Sequence, residues 1–113
     1  LIIFYCEIIM SMSYEQFLLL KLAEEASEIA QIALKTAQFG MLETIPGGSE
    51  NNAERIHSEL NDLHGIVSLL NDHTSFGYQV NDYAIEAKRL KIFKYLTYSV
   101  NLGNVDKDSV PLV

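Results

Sequence analysis

Two short acidic motifs carry the side chains with the clearest potential for chemistry. The first is Glu24-Glu25-Ala26-Ser27-Glu28 and the second is Glu59-Leu60-Asn61-Asp62. In each motif a Glu is followed three residues later by another acid, so one turn of helix would place the two carboxylates side by side. Mg²⁺ and Mn²⁺ prefer oxygen ligands, and two such pairs brought together predict a divalent-metal site.

Helical-wheel positions place these acids among apolar residues. At about 100° per residue, Glu25 falls in one apolar stripe and Glu59 in another. The stripe around Glu25 contains Leu18, Leu22, Ile29 and Ile32, with Glu28 one turn along. The stripe around Glu59 contains Ile56, Leu63, Ile66 and Leu70, with Asp62 at its edge. The other face of the second helix is predicted to be solvated and carries Glu54, His57, Asn61, His64, Ser68 and Asp72.

Carboxylates inside an apolar stripe require compensation. An ionised carboxylate taken out of water costs several kcal/mol unless it is paired, hydrogen-bonded or bound to a metal. Lys21 and Arg55 are the expected counter-charges, but two cations leave a deficit against four acids, which a divalent cation would remove. The alternative is that the Glu pairs lie on a solvated helix face, as is common in acidic helical proteins.

Capping residues and glycines define three helices that must position these acids. Ser13 with Gln16, and Asn51 with Glu54, are helix-start signals, and Gly40 is a helix stop. The predicted helices run from Ser13 to Phe39, from Asn51 to about His73, and from Asn81 to near Val100, with a Pro46-Gly47-Gly48-Ser49 loop after the first. The sequence therefore predicts an all-α fold: a helical hairpin plus a third helix, forming a four-helix-bundle core on dimerisation.

Composition narrows the classes of partner. The 113 residues are 49% apolar, enough for one core, and the net charge of −7 argues against nucleic-acid polymers and anionic membranes. Cys6 is the single cysteine and forms no internal disulfide. No apolar run approaches the length of a membrane span, and a cytoplasmic location is expected, in the host cytoplasm if the gene belongs to a phage.

The two ends of the chain differ from its centre. Residues 1–12 are apolar, and residues 1–11 are interpreted either as an upstream reading of the gene or as a real segment covering a hydrophobic edge. Residues 104–113 are expected to be a flexible tail after a domain spanning residues 13–103.

The paired motif resembles that of the MazG-like, all-α nucleoside triphosphate pyrophosphatases. The strings KLAEEASEIAQ and ELNDLHGIVSLL look like helices of small phage-type members, and the resemblance covers about residues 13–103. It implies that Mg²⁺ (with Mn²⁺ possible) is bound by Glu25, Glu28, Glu59 and Asp62. The gap of 30 residues between Glu28 and Glu59 is longer than is usual for this motif, and the Pro46 loop would absorb it.

The resemblance also implies a reaction. Members hydrolyse the α–β phosphoanhydride of a nucleoside or deoxynucleoside triphosphate, giving the monophosphate and pyrophosphate. Glu24 or Glu28 would accept the proton of the attacking water. The candidate substrate-binding residues are Lys21, Lys88, Lys91, Lys94 and Tyr95, although the lysines of the third helix also fit a solvated face.

Rival functions remain open at this point. One is a phosphoribosyl-ATP pyrophosphohydrolase-like enzyme, which has a similar acid motif. Another is a non-catalytic helical interaction module that binds a partner through its apolar stripes. A homodimer or a homotetramer is expected in either case, and no motif identifies the preferred base or sugar. The string Glu54-x-x-His57 resembles half of a di-iron motif, but it occurs once and lies on the predicted solvated face. A di-iron site uses two such motifs and is therefore not expected.

Overall fold

The computed structural model describes residues 11–111, so the expectation for residues 1–12 lies almost wholly outside the described part. Three α-helices are present there, α1 (Tyr14–Phe39), α2 (Asn52–His73) and α3 (Asp82–Asn101), followed by a 3₁₀ helix at Lys107–Ser109. Among these residues, β-type pairing is limited to one isolated antiparallel β-bridge between Thr44 and Asn51. The predicted all-α class is confirmed.

The helix ends follow from local hydrogen bonding. Ser13 and Gln16 form a reciprocal capping box at the start of α1, and Asn51 and Glu54 form another at the start of α2. Gly40 ends α1 with φ of 97°, a backbone conformation that residues with a Cβ rarely adopt. These caps place the three helices within about one residue of their predicted bounds.

Helices α1 and α2 form an antiparallel hairpin. At one end the hydroxyl of Tyr14 lies 2.9 Å from Nδ1 of His73, which joins the start of α1 to the end of α2. At the other end the amide of Asn52 donates a 2.9 Å hydrogen bond to the carbonyl of Gly40. Asn52 is only 1% exposed and therefore fixes the connecting loop from inside.

The predicted apolar stripes face each other inside this hairpin. Leu18 and Leu70 are 2% and 1% exposed, and Ile32 is also buried. The other stripe residues are half-buried, namely Leu22, Ile29, Ile56, Leu63 and Ile66. The predicted solvated face of α2 is exposed along its whole length. The predicted apolar stripes of both helices are therefore confirmed, whereas Glu28, predicted to lie beside the first stripe, is exposed.

The chain divides into two compact units, one ending at Tyr78 and the other beginning at Gln79. In the second unit no residue of α3 is buried. The chain after α3 turns back through a 2.9 Å hydrogen bond from the amide of Asn104 to the carbonyl of Ser99. Flexibility of residues 104–113 stays a prediction. None of the described helices combines the length and the apolar character that a bilayer crossing requires.

Candidate metal centre

The hairpin brings three of the predicted metal ligands together. Carboxylate oxygens of Glu25, Glu59 and Asp62 all lie within 4.8 Å of one another. Glu25 is in the middle of α1, and the other two acids lie one turn apart on α2. Antiparallel packing brings these two points of the chain to the same level of the hairpin.

Two of these oxygens are buried without a hydrogen-bond donor. Oε2 of Glu25 and Oε2 of Glu59 are both screened from solvent, and no group among residues 11–111 donates to either. The residues themselves are half-buried, whereas Asp62 is exposed. Buried carboxylate oxygens are normally paired, because an unpaired one loses its hydration without replacement. A proton, a water molecule or a cation would each satisfy this pair of atoms.

The two basic residues expected to balance the acids bind elsewhere. Nζ of Lys21 lies 3.1 Å from Oε2 of Glu24 and 5.3 Å from the centre of the Phe17 ring, away from Glu25. Arg55 donates from Nη1 to Oδ1 of Asn52 at 3.3 Å. The expectation that Lys21 and Arg55 supply the counter-charge for the stripe was wrong. Both side chains are held by partners on their own helix, one turn away from them.

Glu28 joins the cluster through Glu59. The pKa of Glu28 is raised above its ordinary value of 4.5, first because its carboxyl group hydrogen-bonds with that of Glu59 and then because the two charges repel. Burial, Glu24 and Asp62 contribute in the same direction. Two carboxyl groups can hydrogen-bond only when a proton lies between them, so the protonated form is favoured. Glu28 itself is exposed and lies outside the group of three acids whose oxygens come within 4.8 Å of one another.

Glu59 is the centre of the arrangement. Its pKa is also raised above 4.5, chiefly because its protonated carboxyl group would hydrogen-bond with that of Glu25, and further because burial and repulsion from Glu25 and Asp62 disfavour its charged form. The hydrogen bond with Glu28 acts in the opposite direction. Without a cation, the cluster therefore holds protons that isolated glutamates would have lost.

The donor set fits a hard divalent cation. Two oxygens on one Mg²⁺, each at 2.0–2.1 Å, are at most about 4.2 Å apart. Three oxygens on one octahedral Mg²⁺ include at least two neighbouring pairs about 2.9 Å apart, so oxygens separated by up to 4.8 Å must approach one another by up to about 2 Å to bind the same ion. Glu28 supplies a further carboxylate one turn from Glu25, and the exposed edge at Asp62 leaves room for water or substrate oxygens. The three acids whose oxygens come together, Glu25, Glu59 and Asp62, are the residues of this hairpin that could hold such an ion.

The remaining predicted site residues fall into two groups. Glu24 is exposed and paired with Lys21, so both lie next to the cluster rather than within it. The predicted phosphate-binding residues Lys88, Lys91, Lys94 and Tyr95 belong to the second unit and are all exposed. Within that unit, Lys94 and Tyr95 line a shallow groove of about 420 Å³ together with Thr97, Tyr98 and Asn101.

A second groove was missed by the sequence analysis. It runs along α1 beside the acid cluster, has a volume of about 540 Å³, and is lined by Leu20, Ala23, Glu24, Ser27, Glu28 and Gln31. A signal was present in the sequence. Ser27 and Gln31 are four residues apart and share a face with Glu24 and Glu28.

Comparisons with protein families, with curated proteins and with solved structures find no match for this sequence. The functional argument therefore depends on the motifs and on the site geometry.

Proposed function

We propose that this chain is an Mg²⁺-dependent nucleotide pyrophosphohydrolase that cleaves the α–β phosphoanhydride of nucleoside triphosphates. The observation that carries the proposal is the pair of buried, unpartnered oxygens on Glu25 and Glu59, with an oxygen of Asp62 within 4.8 Å. The acid pairs that form this cluster are those that resemble the MazG-like motif.

A cation accounts for this cluster better than protons alone. Protons shared between Glu25 and Glu59 would relieve their repulsion, but they would not use the third oxygen, on Asp62, that lies within 4.8 Å of both. A divalent ion would neutralise two carboxylates, satisfy the buried oxygens and still coordinate ligands from solvent. The four ligands in this proposal are Glu25, Glu28, Glu59 and Asp62, with Mg²⁺ favoured and Mn²⁺ as a substitute.

The chemistry of the site follows from its charge. The bound cation supplies Lewis-acid activation of the phosphoanhydride and offsets the negative field of the acids. A water oxygen forms a bond to the α-phosphorus, the bond from that phosphorus to the bridging oxygen breaks, and pyrophosphate leaves. Glu28 or Glu24 accepts the proton of the water.

Substrate binding requires positive charge that the cluster lacks. On the second unit, Lys88, Lys91 and Lys94, with the Tyr95 hydroxyl as an additional donor, stay candidates for phosphate binding on the basis of their charge and spacing in the sequence. Lys21 is also a candidate, because its ammonium group lies on the edge of the acid cluster and pairs with the exposed Glu24. The ion pair with Glu24 is solvent-exposed and therefore weak enough to be exchanged for a phosphate.

A homodimer or homotetramer is part of this proposal. Large apolar side chains such as Leu34, Leu42 and Tyr83 are 73%, 82% and 86% exposed. A second hairpin would cover such residues and form a four-helix core. Sedimentation analysis that finds only monomers at micromolar concentration would contradict this part of the proposal.

Two other functions remain as candidates. A phosphoribosyl-ATP pyrophosphohydrolase would use the same acids and the same bond cleavage on a different nucleotide. A non-catalytic interaction module is favoured by the exposed apolar side chains, but it gives no role to the buried oxygens.

The test is a product assay. The purified chain is incubated with Mg²⁺ and nucleoside triphosphates, and pyrophosphate and orthophosphate are quantified separately. The Glu59→Gln variant should lose turnover by about a hundredfold or more, because it loses the ligand shared by the other acids. Glu50→Gln is the control, since Glu50 is an exposed loop residue of the same charge.

Three outcomes of the assay contradict the proposal. Orthophosphate as the sole product excludes α–β cleavage. Full activity of Glu59→Gln excludes the metal-ligand assignment. Hydrolysis of phosphoribosyl-ATP without any activity on nucleoside triphosphates favours the phosphoribosyl-ATP pyrophosphohydrolase function instead.

A further inference from the structure

Arg55 carries a positive charge that has no ion-pair partner in the described part of this acidic chain. Its side chain is half-buried, and its one polar contact among residues 11–111 is the 3.3 Å hydrogen bond from Nη1 to Oδ1 of Asn52. A guanidinium group has five N–H donors, so four of those on Arg55 remain for another ligand.

The buried amide of Asn52 fixes the direction of this contact. Asn52 is 1% exposed, and its Nδ2 donates to the carbonyl of Gly40 at 2.9 Å and to Oε2 of Glu43 at 3.5 Å. Because both of those partners are acceptors, the amide oxygen faces Arg55 and takes up one N–H of the guanidinium. The carboxylate of Glu43 and the guanidinium are therefore joined through Asn52 and not directly.

A purely structural role does not account for this charge. Arg55 is the fourth residue of α2, and its guanidinium reaches back to the first, Asn52, where the helix dipole disfavours a cation. A neutral donor would satisfy the Asn52 oxygen without that cost. The backbone N–H groups of Asn52, Ala53 and Glu54 are all hydrogen-bonded, so the donors left for an anion here are those of the guanidinium.

Arg55 shares a helix face with the two acids of the cluster on α2. Glu59 and Asp62 lie four and seven residues after Arg55, so at about 100° per residue all three fall within about 60° of one another. The rise of 1.5 Å per residue separates Arg55 from Glu59 by about 6 Å along the helix axis and from Asp62 by about 10 Å. A polyphosphate with one phosphate at the acid cluster can therefore reach the guanidinium with a phosphate farther along its chain.

We propose that Arg55 binds the terminal phosphate of a nucleoside triphosphate and makes the enzyme prefer triphosphates to diphosphates. The inference rests on the proposed function and adds to it a contact for the γ-phosphate on the same unit as the acid cluster. The planar fork of a guanidinium matches two oxygens of one phosphate, and the phosphate supplies the negative charge that the amide of Asn52 lacks. A diphosphate with its α-phosphate at the acid cluster lacks the phosphate that Arg55 holds.

The first test takes the nucleoside triphosphate that is hydrolysed fastest with Mg²⁺ and compares it with its own diphosphate. The kcat/KM for monophosphate formation should be higher for the triphosphate. Arg55→Gln should lower that value by about tenfold or more and change the value for the diphosphate little, because an interaction between two charged groups is lost. Arg55→Lys keeps the charge and a donor for Asn52 but lacks the planar fork, so its ratio of triphosphate to diphosphate should lie between those of the wild type and Arg55→Gln. A residue that only supports the fold would change both substrates equally and would be replaced fully by Lys.

The second test measures binding of inorganic tripolyphosphate with Mg²⁺ by titration calorimetry, which requires no turnover. Arg55→Gln should bind it about tenfold more weakly than the wild type. Arg89→Gln is the matched control and should bind it like the wild type, since Arg89 is an exposed residue of α3 that lies 3.8 Å from Glu86.

The two tests separate this inference from the proposed function. Unchanged binding of tripolyphosphate and an unchanged ratio of triphosphate to diphosphate in Arg55→Gln would overturn the role of Arg55 and leave the proposed function intact. Absence of hydrolysis of every nucleotide would overturn the proposed function, and weaker binding of tripolyphosphate by Arg55→Gln would in that case still support Arg55 as a polyphosphate ligand.

Discussion

Divalent cations should stabilise the folded chain, and the size of the effect can be worked out. A ligand that binds only the folded state adds about 1.4 kcal/mol at ten times its Kd and about 2.7 kcal/mol at one hundred times its Kd. For 113 residues, the unfolding entropy near 60 °C is about 240 cal/mol/K, at roughly 2.1 cal/mol/K per residue. The melting temperature should therefore rise by about 6 °C and about 11 °C at these two concentrations.

The assay is thermal unfolding in a Mg²⁺ titration after removal of metal with a chelator. Glu59→Gln should show little or no rise with Mg²⁺, because the central ligand is lost. Without metal, the same variant should melt at or above the wild-type temperature. The neutral amide can donate to the buried oxygen of Glu25, which has no donor among the described residues.

Glu59→Gln should thus lose the rise in melting temperature with Mg²⁺ without lowering the melting temperature of the metal-free protein. This combination separates a metal ligand from a residue that only supports the fold. A structural residue lowers the melting temperature with and without Mg²⁺. Glu50→Gln should follow the wild type in both conditions, because Glu50 is exposed in the loop before α2. A melting temperature that is unchanged by millimolar Mg²⁺ and Mn²⁺ in the wild type would refute the reasoning.

Two further predictions follow from the titrating groups and from the core. The pKa values of Glu28 and Glu59 are raised above 4.5 in the folded state, so their contribution to stability is greatest below that value and is lost as pH rises through the raised values. The metal-free wild type should therefore lose stability relative to Glu59→Gln as the pH rises above 4.5 through the raised pKa values. A difference in melting temperature that stays constant with pH would contradict this. Leu70→Ala should lower the free energy of unfolding by about 2–5 kcal/mol, because Leu70 is only 1% exposed in the hairpin. A urea titration measures this loss, and Leu69→Ala, at a neighbouring position that is 41% exposed, should lower the free energy of unfolding clearly less.

Much of the hairpin could be predicted because its signals are local. Ser13 with Gln16 and Asn51 with Glu54 mark the two helix starts, and Gly40 marks the end of α1. Helical periodicity then fixes which side chains face inward. For that reason the meeting of Glu25 with Glu59 and Asp62 followed from the sequence once the two helices were paired.

The partners of the long basic side chains could not be predicted in the same way. A helical wheel gives the direction of a Cβ atom but not the direction of a flexible chain beyond it. Arg55 has the angular position to approach Glu59, yet it binds the buried amide of Asn52, which the wheel did not identify as buried. Lys21 likewise turns to Glu24 and the Phe17 ring.

The face through which α3 packs could not be predicted from its sequence pattern. Its capping residue Asn81 and its length were predictable, but its side chains are all exposed or half-buried, and no stripe selects one packing face. The proposed contact of Lys88, Lys91 and Lys94 with phosphate therefore rests on charge chemistry.

Diffraction from crystals grown with Mn²⁺ tests the central claim most directly. Anomalous scattering from manganese locates the ion without reference to any assumed mechanism. The account predicts a peak within coordination distance of carboxylate oxygens of Glu25, Glu59 and Asp62, and no peak at that position in Glu59→Gln. A fully occupied ion elsewhere, or a wild-type cluster with no anomalous peak at saturating Mn²⁺, would contradict it.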